Sequence, residues 1–159
     1  MRKKWICALI ALVMLCGMAL AEADRSVVFD AGFSMVLPEG WKYYPVDDEA
    51  AAQGVLYCMS DADGERWMYV QKWEDRCADM QALLTLVQES VDVAAAGIYS
   101  FGDTDFVVYE PTEGNVSCCA ALLNGEILNF VVTPQNDADY MLTVTEIITS
   151  FAPAELPAE

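Results

Sequence analysis

Two apolar runs meet at Asn124-Gly125, and they constrain the fold more than any other part of the chain. Asn-Gly supplies the two left-handed residues of a tight hairpin turn, so Val116–Leu123 and Glu126–Thr133 read as an antiparallel strand pair. Side chains alternate across a strand. One set is then Cys118, Ala120, Leu122, Ile127 and Val131, and the other is Cys119, Ala121, Leu123, Leu128 and Phe130. Both sets are mostly apolar. A sheet wet on one side shows apolar–polar alternation, so this pair must be covered on both faces. The hairpin belongs to the middle layer of a layered domain.

The remaining segments supply the layers. Ser26–Asp30 and Phe33–Leu37 read as a first hairpin turned at Ala31-Gly32, with Phe33, Met35 and Leu37 on one face. Pro38-Glu39-Gly40 stops it, and Trp41–Tyr44 starts a third strand. Asp47–Gly54 reads as a short helical turn, acidic at its start and closed by glycine. Val55–Ser60 and Arg66–Trp73 flank Asp61-Ala-Asp-Gly-Glu65 as another hairpin, and Ile98–Phe101 and Asp105–Glu110 add two more strands. Apolar residues recur at helical steps from Asp79 to Ala96, where Gly97 closes the run, and again from Asp137 to Phe151, where Pro153 ends it. Each helix carries one apolar stripe, so each covers one side of a sheet. The pattern predicts the α+β class: an antiparallel sheet of about six or seven strands with helices packed on both faces, a three-layer α/β/α sandwich.

The N-terminus carries a different message. Arg2, Lys3 and Lys4 precede an uncharged apolar run from Trp5 to Leu20, and Ala19-Leu20-Ala21 and Ala21-Glu22-Ala23 offer small-x-small cleavage sites. This is the layout of a secretory signal peptide, and it is short for a membrane span. Residues 1–21 are expected to leave, with cleavage after Ala21 or Ala23. A single domain over 24–153 and a frayed tail over 154–159 should remain. The mature chain is expected outside the cytoplasm: extracellular, on the cell surface or periplasmic. Cys16 within the apolar run raises the alternative of a lipid anchor, but Leu15 before it is a poor fit to a lipobox, where a small residue is needed.

Export changes the charge balance. It leaves five cations (Arg25, Lys42, Arg66, Lys72 and Arg76) against 25 carboxylates, a net charge of −20. Such a field repels nucleic acid and anionic lipid headgroups. The chain contains 0 histidines, which excludes Ser-His-Asp and Cys-His catalysis and zinc sites built on histidine. Cys58, Cys77, Cys118 and Cys119 remain after cleavage. Their even number allows disulfides in an exported chain, while their spacing also suits buried thiols, and both readings stand.

The pattern Phe33-x-x-x-Leu37-Pro38-x-Gly40-Trp41 after a first hairpin resembles the opening of the PsbP-like superfamily. The later order of hairpin, long helix, further strands and a closing helix ending Ile148-Thr-Ser-Phe151 is similar to it as well. That superfamily includes an extrinsic photosystem subunit, a nuclear-import factor and bacterial DcrB-type exported proteins, to which this chain bears the nearest resemblance. The resemblance implies a three-layer fold and a non-catalytic accessory role. It implies no site residue, because the superfamily shares a fold without sharing a function.

Each candidate site also has a plainer structural role. If Gly64 of Asp61-Ala-Asp63-Gly64-Glu65 is aligned with the glycine of a calcium loop, Met59 takes the first ligand position and Val70 the twelfth, where Glu is required. A polar hairpin turn fits better. Among so many acids no pair is singled out for glycoside hydrolysis. Trp67, Tyr69 and Trp73 fall on one strand face and offer a possible ligand or partner contact, or else one flank of the core. Trp41 is expected to be a core anchor. The reading is a secreted non-enzymatic accessory or binding domain, monomeric, without cofactor, metal or catalytic residue, that contacts a protein or small ligand. The alternatives are a carboxylate-based or calcium-assisted hydrolase and a carrier of an apolar ligand.

Overall fold

The computed structural model describes residues 20–21 and 25–154. The expected signal peptide, apart from Leu20 and Ala21, lies outside the described residues, as does the tail beyond Ala154. In chain order the strands are β1 (Leu20–Ala21), β2 (Arg25–Phe29), β3 (Phe33–Leu37), β4 (Lys42–Tyr44), β5 (Val55–Ser60) and β6 (Trp67–Arg76). They continue with β7 (Val93–Phe101), β8 (Thr104–Pro111), β9 (Ser117–Leu123), β10 (Glu126–Thr133) and β11 (Ala152–Pro153). The helices are α1 (Asp48–Ala52), α2 (Met80–Ser90) and α3 (Ala138–Thr149).

The central hairpin forms as the turn chemistry requires. Asn124 has φ 53° and Gly125 φ 78°, and Cys119 pairs with Phe130 and Cys118 with Val131. It lies within an antiparallel sheet of order β1-β4-β5-β6-β10-β9-β8-β7. Seven strands form its body and the two-residue β1 borders β4. On one face Leu128, Phe130 and Val132 pack with Met68 and Val70 beneath β3 and α3; on the other Ile127 and Val131 pack with Tyr69 and Cys118 in the cluster that includes Leu83 and Val87 of α2. The sheet is covered on both sides, and the architecture is the expected α+β sandwich.

The first hairpin forms, with β11, a separate three-stranded sheet of order β11-β3-β2. Its alternation explains this: Phe33, Met35 and Leu37 are buried while Val28 and Val36 are exposed. A sheet apolar on one side packs face-on over another sheet, whereas membership in the main sheet would need two apolar sides. One expectation is corrected, the helix over Asp79–Ala96. It starts with Asp79 as N-cap, its side chain accepting from the Ala82 N–H at 2.9 Å, but it stops at Ser90. Val91 and Val93 are β-branched, and from Ala95 onward the chain pairs with β8 (Ala95↔Glu110, Ala96↔Tyr109). Strand pairing overrides the helical preference of three alanines, whose propensity advantage is well under about 1 kcal/mol each.

Phe151, just past α3, locks the layers. Its ring lies 5.5 Å from Phe33 of the small sheet and 5.7 Å from Phe130 of the main sheet. Trp41 is 3% exposed and its ring lies 6.4 Å from that of Tyr140, as expected of a core anchor.

Candidate functional site

A cleft of about 380 Å³ opens where the β2–β3 turn overhangs the main sheet. Asp30 and Ala31 of the turn face Leu56 and Tyr57 of β5, Lys72 of β6, Leu123 of β9, and Glu126 and Leu128 of β10. Two breaks in strand register lie here. The β5–β6 ladder shifts between Val55 and Tyr57, and the β10–β6 ladder between Glu126 and Leu128. A bulge places consecutive residues on one side and turns the strand, which is how Leu56 and Tyr57 both reach the layer beneath the small sheet. Lys72 is fixed through its backbone, whose N–H donates to the Gly54 carbonyl at 2.8 Å. Gly54 has φ +84°, and a Cβ there would overlap the Lys72 carbonyl oxygen.

The polar groups of the cleft occur in pairs. The Tyr57 hydroxyl donates to Asp30 and accepts from the Ala31 N–H at 3.0 Å. Burial, reinforced by the bond to Asp30, pushes the Tyr57 hydroxyl up to about 12, so it stays protonated at neutral pH. Lys72 Nζ lies 2.7 Å from Glu126 Oε2, and Arg76 Nη2 lies 3.7 Å from Glu126 Oε1. The hydrogen bond from Lys72 holds the Glu126 carboxyl below its usual range, so it stays ionised. Glu126↔Arg76 is a cross-strand pair, and as an exposed, solvent-screened ion pair it adds little to stability. The floor of Leu56, Leu123 and Leu128 is apolar. Three charges, those of Asp30, Lys72 and Glu126, around an apolar floor can orient a ligand that carries both a polar and an apolar part.

Sequence reasoning did not single out Asp30, Tyr57, Lys72 or Glu126. One signal was present: Lys72 and Arg76 are two of only five cations expected in the mature chain, and both converge on Glu126. Their meeting with Asp30 depends on the small sheet folding over the main one, which no local pattern encodes.

The aromatic set lies elsewhere. Trp67 and Tyr69 are 6% and 0% exposed on the α2 side of the sheet, with rings stacked 6.2 Å apart, and Trp73 is half-buried on the same side. Tyr44 covers Trp67 at 4.8 Å, and the Trp67 Nε1–H donates to the Gly64 carbonyl at 2.9 Å. Asp61, first residue of the calcium-like stretch, is occupied by the hairpin: its Oδ1 accepts from the N–H groups of Glu65 (3.0 Å) and Arg66 (3.3 Å). Among the described residues no three Cys, Asp or Glu side chains are grouped to hold a metal ion. Cys58, Cys118 and Cys119 are buried free thiols, and Cys77 is half-buried and also unbridged.

Comparison with solved structures bears on the fold. The solution structure of cyanobacterial PsbP (CyanoP) from Synechocystis sp. PCC 6803 superposes with a TM-score of 0.57 at 13% identity, covering 88% of this chain and 99% of that one. The fold is PsbP-like. A crystal structure of a protein from Bacteroides thetaiotaomicron VPI-5482 aligns with a TM-score of 0.56 at 12% identity, over 90% of this chain. The alignment covers 50% of that chain. No protein-family model and no curated protein matches this sequence. At such identities the PsbP-like likeness is one of architecture and assigns no residue a role.

Proposed function

We propose that the protein is an exported, non-enzymatic accessory domain akin to the DcrB-type branch, which recognises a small ligand or a short protein segment at the Asp30–Tyr57–Lys72–Glu126 cleft. The observation that carries this reading is the pairing of the cleft's polar groups. A general acid or base works best with a pKa near the operating pH. Here the Tyr57 hydroxyl is held protonated and the Glu126 carboxyl ionised, each by a bonded neighbour. Such groups orient a ligand without exchanging protons with it. Among the described residues no helix is long and apolar enough to cross a membrane, in keeping with a domain that works beside its partner. Of the aromatic set, this reading assigns partner contact to Trp73, which is half-buried. Trp67 and Tyr69 would make such contact only if the covering Tyr44 segment lifted.

The test is a fragment titration of the isotope-labelled mature chain, read as amide shifts. Perturbations that cluster on Tyr57, Lys72 and Leu128 and vanish in Lys72→Ala support the reading. Shifts confined to the apolar floor and unchanged by Lys72→Ala would favour an apolar-ligand carrier. Turnover of glycoside or ester substrates that is lost in Glu126→Gln would replace it with the hydrolase. The exported state is tested by N-terminal sequencing, expected to begin at Glu22 or Asp24. Cleavage there removes β1 and leaves β4 as the sheet edge.

A further inference from the structure

The main sheet ends very differently on its two sides. At one end the two-residue β1 borders β4, which is three residues long and contains Lys42. The other is β7, nine residues of Val-Ala-Ala-Ala-Gly-Ile-Tyr-Ser-Phe with no charge and no proline. Edge strands present unpaired N–H and C=O groups, and soluble proteins usually blunt them by shortness, lysine, proline or bulges. In β7 the single such device is a register shift between Val93 and Ala95; from Ala95 to Phe101 the ladder with β8 is regular. Among the described residues no strand lies beyond it. Its side chains are open as well: Tyr99 is 57% and Ile98 38% exposed, and Ala94, Ala95 and Ser100 are exposed.

The surrounding charge selects the occupant. After Arg76 the sequence contains no Lys or Arg but 13 acids. Asp92 precedes β7, and Asp103 and Asp105 follow it, with Ser100 Oγ donating to Asp105 Oδ1 at 2.5 Å. A second copy docking β7 on β7 in antiparallel register would bring Asp92 of each chain toward Asp103 of the other. Like charges at such a junction disfavour the pairing. An extended segment carrying Lys or Arg meets the opposite situation.

We propose that β7 is a docking edge for an extended basic segment of a partner protein, which joins the main sheet as an added strand. Main-chain hydrogen bonds along Ala95–Phe101 supply affinity, the apolar faces of Ile98 and Tyr99 take alternate side chains, and the flanking carboxylates select for positive charge. This surface is separate from the cleft.

The experiment uses the mature chain and three capped nonapeptides: alternating Lys and Val, alternating Glu and Val, and the Lys–Val peptide with a central proline. Binding is read by fluorescence anisotropy, and the site by amide hydrogen exchange. The Lys–Val peptide is expected to bind, to slow exchange along Val93–Phe101, and to weaken as salt screens the charges. The Glu–Val and proline peptides should bind at least about tenfold more weakly, as should the Lys–Val peptide to Ile98→Lys. Ser100→Lys, at an already exposed position, repeats the test should Ile98→Lys disturb the fold. Failure of the Lys–Val peptide to bind, equal binding of the Glu–Val peptide, or protection confined to β4 would overturn the proposal. So would a concentration-dependent dimer in which exchange slows along β7. None of these outcomes bears on shifts at Tyr57 and Lys72, so the cleft stands or falls separately.

Discussion

The hydroxyl of Tyr140, on the helix that closes the fold, donates to the main-chain carbonyl of Trp67 at 2.6 Å. Both residues are buried, and the bond ties α3 to the first residue of β6 across 73 residues of sequence. The arrangement is held from outside by Arg66, whose guanidinium bonds Asp137, the N-cap of α3, at 2.8–2.9 Å and lies 5.7 Å from the centre of the Tyr140 ring.

Tyr140→Phe removes the donor and keeps the ring. The substitution should destabilise the domain by about 1–3 kcal/mol, the range for removing one partner of a buried hydrogen bond. Urea denaturation of the two proteins measures it. A change below about 0.3 kcal/mol would mean that the carbonyl finds another donor.

Trp41→Ala should cost about 3–5 kcal/mol, because a fully buried ring leaves a cavity between β4 and α3. Asp63→Ala should stay within about 0.5 kcal/mol, since Asp63 is exposed at the hairpin tip. Asp61→Ala should fall between them at about 1 kcal/mol, because its carboxylate accepts two backbone N–H groups that the change leaves bare. Denaturation of the three variants orders them.

Gly54 and Gly64 both have positive φ, at +84° and +73°, but nothing lies within 4 Å of a Cβ at Gly64. Gly64→Ala should therefore cost only the left-handed strain, about 1–2 kcal/mol. Gly54→Ala adds a backbone overlap with Lys72 and should lose substantially more, with the shift of Lys72 visible as altered amide resonances around the cleft. Equal effects of the two changes would show that the Gly54–Lys72 contact yields easily.

Burial pushes the thiols of Cys58, Cys118 and Cys119 up to about 12 each, from an ordinary value of 9.0. The unfolded chain releases these protons near pH 9 while the folded chain keeps them. Stability from this source is then complete below about pH 9 and declines as pH rises toward 12. Tyr57, also raised to about 12, adds to the decline above its ordinary 10.0. Urea midpoints should thus fall steeply between about pH 9 and 11, and less steeply in Cys118→Ala. A thiol reagent at neutral pH should modify Cys77 first and the other three only after unfolding.

What the sequence determined by itself was everything held by neighbours along the chain. Asn124-Gly125 dictated the central turn, and the period-two runs on either side sorted Cys118 from Cys119 and Ile127 from Leu128 onto opposite faces. The helices begin at Asp47, Asp79 and Asp137, whose side chains accept from N–H groups three residues on. These effects act over a few residues, so a local reading captures them. Tertiary structure decided the rest. Residues 93–97 carry a helical composition, yet they are strand because β8 lies alongside to pair with them. The first hairpin forms a sheet of its own because an apolar face was available beneath it. The cleft exists only because Asp30 and Lys72, 42 positions apart, are brought together by that packing. Burial and strand pairing between distant segments outweigh the fraction of a kcal/mol by which a local preference favours one conformation, and no short stretch of sequence records which distant segment will be there.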